Sequence, residues 1–578
     1  MQRTDVRAGS KARRGWFTGT ACVVGAAVAL SGLGTAAWSA QGAAPASSAL
    51  EVAGAALTPV GVVAAAPSVQ PPGGVAGVPV PRIRWTPIAD GFQQARFAVP
   101  YDYRTPKGKT FSLYAVRLPA TEPKRRLGAI VYNFGGPGGG AAATIQAAAK
   151  SLPAALRARY DIVGVDPRGT GASTPVRCSR SEAEQAGEPL AGVRDFPENA
   201  KERGVAATQA KRLADRCRAL NGDLLDHVGT LQFARDLDVL RAAMGDKKLN
   251  FYGLSYGTFL GQVLVNTFPT RVGRVVLDGV VNPGWAVGAP TTVSWNREGY
   301  DLGAWETLQE FFRQCDAAGP QLCAFAGGGK ARYDALADRL RTAPVALPVE
   351  EGQPPAVFGY SELVVLSQGL LYQPSSWPVL GGLLQALSTA PPAVVAKAVK
   401  AARLVARGGA AYDNFSDALL AISCADTDNP RDPSVYAKVG AVRDSSVAPY
   451  FGSRAAYTAF PCFAWKGRST ERYTGPWNRA TAGPVLIIGT RFDPATPYRN
   501  AIGVAEQLPN SRLLTLDGAG HTAFGLSTCI EARVTAYFVS GTLPRPGTAC
   551  TPDASPFAPP TPATQADKKM RVQRAPGL

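Results

Sequence analysis

Only two histidines, His227 and His521, occur in the 578 residues, and none of the nine cysteines stands in a C-x-x-C pair. Structural metal sites draw on clustered cysteine and histidine ligands, so no metal centre is expected. The glycine-rich stretch from Gly135 to Gly140 lacks both the G-x-G-x-x-G spacing and a Walker lysine, which argues against a phosphate cradle and its nucleotide cofactors. The net charge is +18, yet no basic stripe interleaved with aromatics is present. Nucleic acid is therefore not an expected partner, and the charge reads as a solvated surface that can linger at an anionic envelope. No internal repeat is visible. Beyond the first forty residues no run is apolar and long enough to span a bilayer.

Those forty residues have a pattern of their own. Arg3, Arg7, Lys11, Arg13 and Arg14 precede an apolar run that ends in small residues. A secretory signal peptide over residues 1–40 is expected, with cleavage between Ala37 and Ala44 and Arg13-Arg14 a loose match to a twin-arginine signal. An uncleaved membrane anchor is the competing reading, which the many Ala and Gly residues disfavour. Cys22 lacks a Leu or Val three residues earlier, so lipid attachment is not expected. The remaining eight cysteines form an even set in an oxidising compartment, with neighbours in sequence expected to pair: Cys178–Cys217, Cys315–Cys323, Cys424–Cys462 and Cys529–Cys550.

Residues 41–80 and 553–578 are rich in Ala, Pro and Gly without periodicity, and read as a flexible leader or propeptide and a disordered tail. Between them, short apolar runs at "LGAIVYNF", "YDIVGVD", "KLNFYGL", "RVVLDGV", "PVLIIGT" and "RLLTLDG" alternate with helical patterns. Continuous apolar strands separated by helices predict an α/β fold with a mostly parallel sheet covered on both faces. The rhythm stops at Pro283 and resumes near Pro484. The expected core is therefore 81–282 plus 483–552, with 283–482 inserted as a large, mainly helical cap.

Ser255 lies in "FYGLSYGTFLG", between Gly253 and Gly257, where an apolar strand meets a helical pattern. In a chain with 62 glycines the pentapeptide alone carries little weight. Its position gives it meaning. A serine on a sharp strand-to-helix turn is exposed for attack, and the helix N-terminus favours developing negative charge. Such an elbow calls for an acid and then a histidine near later strand ends. Asp493 follows "PVLIIGT" and His521 follows "RLLTLD". Asp278, in "VVLDGV" at the end of another apolar run, is the rival acid. His227 precedes the serine and is expected to make local hydrogen bonds. The N–H of Tyr256 and one from the glycine loop, Gly136, are the expected oxyanion donors. "DPRGTGAST" is expected to be a structural turn in which Asp166 and Arg168 pair.

Together "NFGGPGGG", "VGVDPRGTGASTPV", "FYGLSYGTFLG", "VVLDGVVNP", "AISCADTD", "PCFAW", "RFDPATP" and "GAGHTAFG" resemble the secreted bacterial tripeptidyl aminopeptidases. These are α/β-hydrolases related to proline iminopeptidase, and the likeness runs from about residue 85 to 552. It implies that Ser255, Asp493 and His521 form the triad of a serine peptidase. It further implies that short peptides, of three residues, are released from free N-termini without cofactor or metal, by a secreted monomer. Cys529–Cys550 is a bridge similar to the family's. Asn133 departs from the pattern, standing where the iminopeptidases have His. Carboxylic esters are the alternative substrate class. An exopeptidase must hold a cationic amine, so a cap carboxylate is expected to face Ser255. Asp426 and Glu298 are the leading candidates, with Asp301 and Glu306 behind them.

Overall fold

The computed structural model describes residues 75 and 77–558, except 182–183, 186–195, 349–355, 407–413 and 470. The signal-peptide expectation and nearly all of the leader therefore lie outside the described residues.

Strands β1 (Thr86–Pro87), β2 (Gln93–Pro100) and β3 (Thr110–Leu118) precede β4 (Gly128–Asn133), β5 (Tyr160–Val165), β6 (Leu249–Leu254) and β7 (Val272–Asp278). A small antiparallel pair, β8 (Val345–Leu347) and β9 (Ala356–Phe358), stands apart from the main sheet. β10 (Val485–Phe492), β11 (Ser511–Ala519) and β12 (Ala549–Cys550) complete it. The ten-stranded sheet has the order β1-β2-β3-β5-β4-β6-β7-β10-β11-β12. From β5 to β12 all pairings are parallel, while β1, β2 and β3 join as antiparallel edge strands.

Because successive strand residues point to opposite faces, the apolar runs feed two layers at once. Val131, Leu260 and Ile487 belong to one core cluster; Ile130, Tyr252 and Ile488 belong to the other. Connecting helices cover both faces, including Ala200–Asn221, whose Cys217 is bonded to Cys178. The other disulfides join Cys315 to Cys323, Cys424 to Cys462 and Cys529 to Cys550.

Between β7 and β10 the chain is mostly helical, from Ser294–Glu298 to Phe451–Thr458. Phe311, Trp377, Tyr333 and Leu384 form a third core there. This insertion is not walled off from the sheet domain. Ala421, Ile422, Cys424 and Trp465 pack into the same cluster as Val131 and Leu260.

Three expectations need correction. Asp166 and Arg168 do not pair. Asp166 accepts N–H groups from Ala142 and Ala172, both at 2.9 Å, whereas Arg168 is fully buried against Asp236 at 2.6 and 2.7 Å. A guanidinium in a dry interior needs a carboxylate with matching two-oxygen geometry, which Asp236 supplies. The first residues of the expected disordered tail are ordered: Phe557 is buried near Phe311 and Trp377, and Asp553 accepts the Thr528 N–H. The rest of that tail, 559–578, lies outside the described residues. His227 makes no side-chain hydrogen bond through its buried Nδ1; its ring lies 4.6 Å from that of Tyr101.

Candidate active site

β6 ends at Leu254, and Ser255 then adopts φ 55° and ψ −127°, a region nearly closed to residues with a side chain. The helix Tyr256–Thr267 starts at the next residue. The flanking glycines are there because backbone passes too close for a Cβ. One on Gly253 would lie 2.2 Å from the Gly257 carbonyl, and one on Gly257 would lie 2.5 Å from that of Asn133. The glycine loop after β4 presses on the same turn, since a Cβ on Gly135 would lie 2.8 Å from that of Ser255. Asn133 helps fix this loop by accepting the Gly135 N–H at 3.1 Å.

Asp493 and His521 follow β10 and β11, so both stand at the carboxyl ends of strands, beside the elbow. His521 Nδ1 lies 2.8 and 3.1 Å from the two oxygens of Asp493. That carboxylate is buried and also accepts the N–H groups of Ala495, Thr496 and Thr522 and the Thr496 hydroxyl. So many donors fix its orientation. With Nδ1–H donating to Asp493, Nε2 is the base of the ring; this tautomer is assigned from the network. Tyr372 supports the histidine from the insertion: its carbonyl accepts the His521 backbone N–H at 2.8 Å, and its ring packs edge-on at 4.9 Å.

Ser255 and His521 line one cavity of about 200 Å³, with Gly136 and Tyr256 on its wall. Most of the wall is apolar, including Phe134, Trp285, Trp295 and Phe415. Among the described residues, no group of three or more His, Cys, Asp or Glu is placed to hold a metal ion.

The rival acid, Asp278, does not bond to His521. Its carboxylate accepts the Ala523 N–H at 2.8 Å and the Tyr252 hydroxyl at 3.1 Å, and its carbonyl accepts the Ser255 N–H at 2.9 Å. It braces the Ser255 turn against the His521 loop. Burial pushes its carboxyl up to about 7 from 3.8. Between those values the folded chain holds the proton more tightly than the unfolded chain, so this group's contribution to stability falls as pH rises through that window. Asp278→Asn keeps an acceptor for Ala523 and removes the buried charge. Its stability relative to the parent should therefore rise on going from about pH 4 to pH 8, by on the order of 4 kcal/mol at most. Paired denaturant titrations at the two pH values test this; equal differences at both would contradict it.

The four carboxylate candidates separate clearly. Glu298 lines the cavity. It is 3% exposed; Asn500 donates to its Oε1 at 2.9 Å, while its Oε2 has no hydrogen-bond partner. Burial, then the nearby carboxylates of Asp493 and Asp301, push its carboxyl well above the usual range. Asp426 does not face the cavity and is withdrawn as a candidate. It is buried behind the elbow, where the Thr230 N–H and hydroxyl donate to Oδ2 at 2.7 and 2.5 Å. Asp301 is neutralised by Arg443 and Glu306 by Arg499. The run "SWNREGYDLGAWE" is broken at Gly299, φ 94°, and that turn sends Glu298 one way and Asp301 another. Thr230, Tyr372 and Asn500 carried no signal in the sequence, since each acts through contacts with distant segments.

Residues 128–319 match the family model described as the alpha/beta hydrolase fold, and 448–550 match the one described as TAP-like protein. Serine protease Hip1 of Mycobacterium tuberculosis (strain ATCC 25618 / H37Rv) is 32% identical over 496 residues, covering 81% of this chain and 91% of that protein. Tripeptidyl aminopeptidase of Streptomyces lividans is 31% identical over 471 residues, 79% of this chain and 83% of the relative. This chain belongs to the tripeptidyl aminopeptidase family of α/β-hydrolases. It is a serine hydrolase of the peptidase kind. Carboxylesterase B of M. tuberculosis (same strain) is also 32% identical to this hydrolase, over 472 residues, 79% of this chain and 86% of the relative. Four disulfides agree with an oxidising compartment, and no helix among the described residues is long and apolar enough to cross a membrane.

Proposed function

We propose that this hydrolase is a secreted exopeptidase that releases tripeptides from the free N-termini of peptides. The observation that carries the reading is Glu298: a buried carboxyl with an unpartnered oxygen in the cavity that holds Ser255 and His521. An unpaired carboxyl in an apolar wall is costly, and a cationic amine entering the cavity supplies the missing partner. A substrate anchored there by its N-terminus presents a carbonyl to Ser255 at a set distance along the chain.

His521 takes the Ser255 proton as the oxygen attacks the scissile carbonyl, and Asp493 steadies the imidazolium. The N–H groups of Tyr256 and Gly136 receive the oxyanion. His521 then protonates the leaving amine, and water hydrolyses the acyl-enzyme with the same histidine as base. Secretion rests on the signal-peptide pattern of residues 1–40 and on the disulfides.

A carboxylesterase is the second reading, favoured by the apolar wall and by the relative of that name. Glu298→Gln separates the two. For free-amine peptides KM should rise about 10- to 100-fold, the loss of one charged hydrogen bond, while kcat on a short p-nitrophenyl ester stays near the parent's. An unchanged KM would defeat the amine-anchor reading and favour the esterase.

A further inference from the structure

The helix Phe415–Asp426 belongs to the insertion, yet it touches both halves of the proposed oxyanion site. At its start, a Cβ on Gly136 would lie 3.2 Å from the Phe415 ring. One on Gly138 would lie 2.7 Å from both the Phe415 carbonyl and the Leu419 nitrogen. The glycine loop is thus packed directly on this helix. At its end, Asp426 Oδ2 accepts the N–H and hydroxyl of Thr230, and the Thr230 oxygen lies 2.5 Å from the Tyr256 hydroxyl. Since the Thr230 proton goes to Asp426, the phenol donates to Thr230. Gly229 permits the approach, because a Cβ there would lie 2.8 Å from Asp426 Oδ1. Thr230 opens the helix Thr230–Ala243, whose positive end also favours the carboxylate. Burial pushes the Asp426 carboxyl up to about 6, while the two Thr230 donors that converge on Oδ2 favour its charged form, in which those hydrogen bonds are charge-assisted.

We infer that the Asp426–Thr230–Tyr256 chain positions the oxyanion hole: one helix of the insertion sets the glycine loop at one end and the nucleophile turn at the other. Asp426 and Thr230 are positioning residues. Neither lines the cavity, and they act by holding Tyr256, whose N–H receives the oxyanion. The inference rests on the serine-hydrolase mechanism but not on which acyl substrate is cleaved. A misplaced donor weakens transition-state binding more than substrate binding, so kcat should fall while KM holds.

Thr230→Val removes the hydroxyl at nearly constant volume. With a p-nitrophenyl ester its kcat should fall roughly 10- to 100-fold, the loss of a charged hydrogen bond, with KM little changed. Affinity for a boronic acid should fall in parallel, because its tetrahedral adduct with Ser255 places an oxygen in the same hole. Thr230→Ser keeps the hydroxyl and should restore both quantities; Asp426→Asn, with a weaker acceptor, should fall between. If Thr230→Val lowered the melting temperature yet left kcat and boronate affinity at parental values, the inference would be overturned. A change confined to KM for free-amine peptides would also overturn it, returning Asp426 to amine binding. An ester carries no amine, so failure of the exopeptidase reading leaves this test intact.

Discussion

Ser255→Ala is expected to lose roughly 10⁶-fold in kcat, the scale seen when a serine nucleophile is removed from a triad. The chain should still fold, because the Ser255 side chain contributes chemistry rather than packing. Its backbone N–H, bonded to the Asp278 carbonyl, is retained by alanine. The φ of 55° is no harder for alanine than for serine. Circular dichroism and melting temperature should match the parent, while reaction with a fluorophosphonate disappears. Labelling of a different serine at the parental rate would mean that the elbow had been misread.

Asp493→Asn should cost about 10⁴-fold in kcat. Asparagine replaces one acceptor oxygen with an NH2 donor and carries no charge, so His521 loses the partner that fixes its tautomer and stabilises its cation. The effect should fall on kcat, with KM nearly constant. Asp278→Asn is the control, since Asp278 braces the loops without touching the imidazole. A greater loss from Asp278→Asn than from Asp493→Asn would reverse the two acids.

Much of the proposed catalytic frame is legible in the sequence because buried parallel strands are written as short, mostly apolar runs. β4, β5, β6, β7, β10 and β11 all have this form, and Ser255, Asp493 and His521 each follow one of them. β2 and β3 escape such a reading. "QQARFAVP" and "TFSLYAVRL" alternate, burying Phe97 and Val99 or Phe111 and Leu113 while their neighbours face outward. The helix Ala200–Asn221 is polar along most of its length, and its buried stripe of Ala206, Ala210, Leu213, Ala214 and Cys217 is too thin and small to stand out.

Side-chain direction is the harder problem. Asp426 and Glu298 were comparable as sequence: each an acid in the insertion, one near a cysteine and one near aromatics. The fold sends Glu298 into the cavity and Asp426 beneath the elbow. The difference arises from the left-handed turn at Gly299 and from the contact of Asp426 with Thr230, 196 residues earlier. Arg168 shows the same limit, since its partner Asp236 lies on a helix beyond β5 rather than in its own turn.

Mass spectrometry of the products from a random peptide library, offered with free and with acetylated N-termini, tests the central claim most directly. The account predicts three-residue N-terminal products from the free library and almost none from the acetylated one, where the cation that Glu298 would hold is gone. Equal cleavage of both libraries, or cuts spread along the chain, would contradict it.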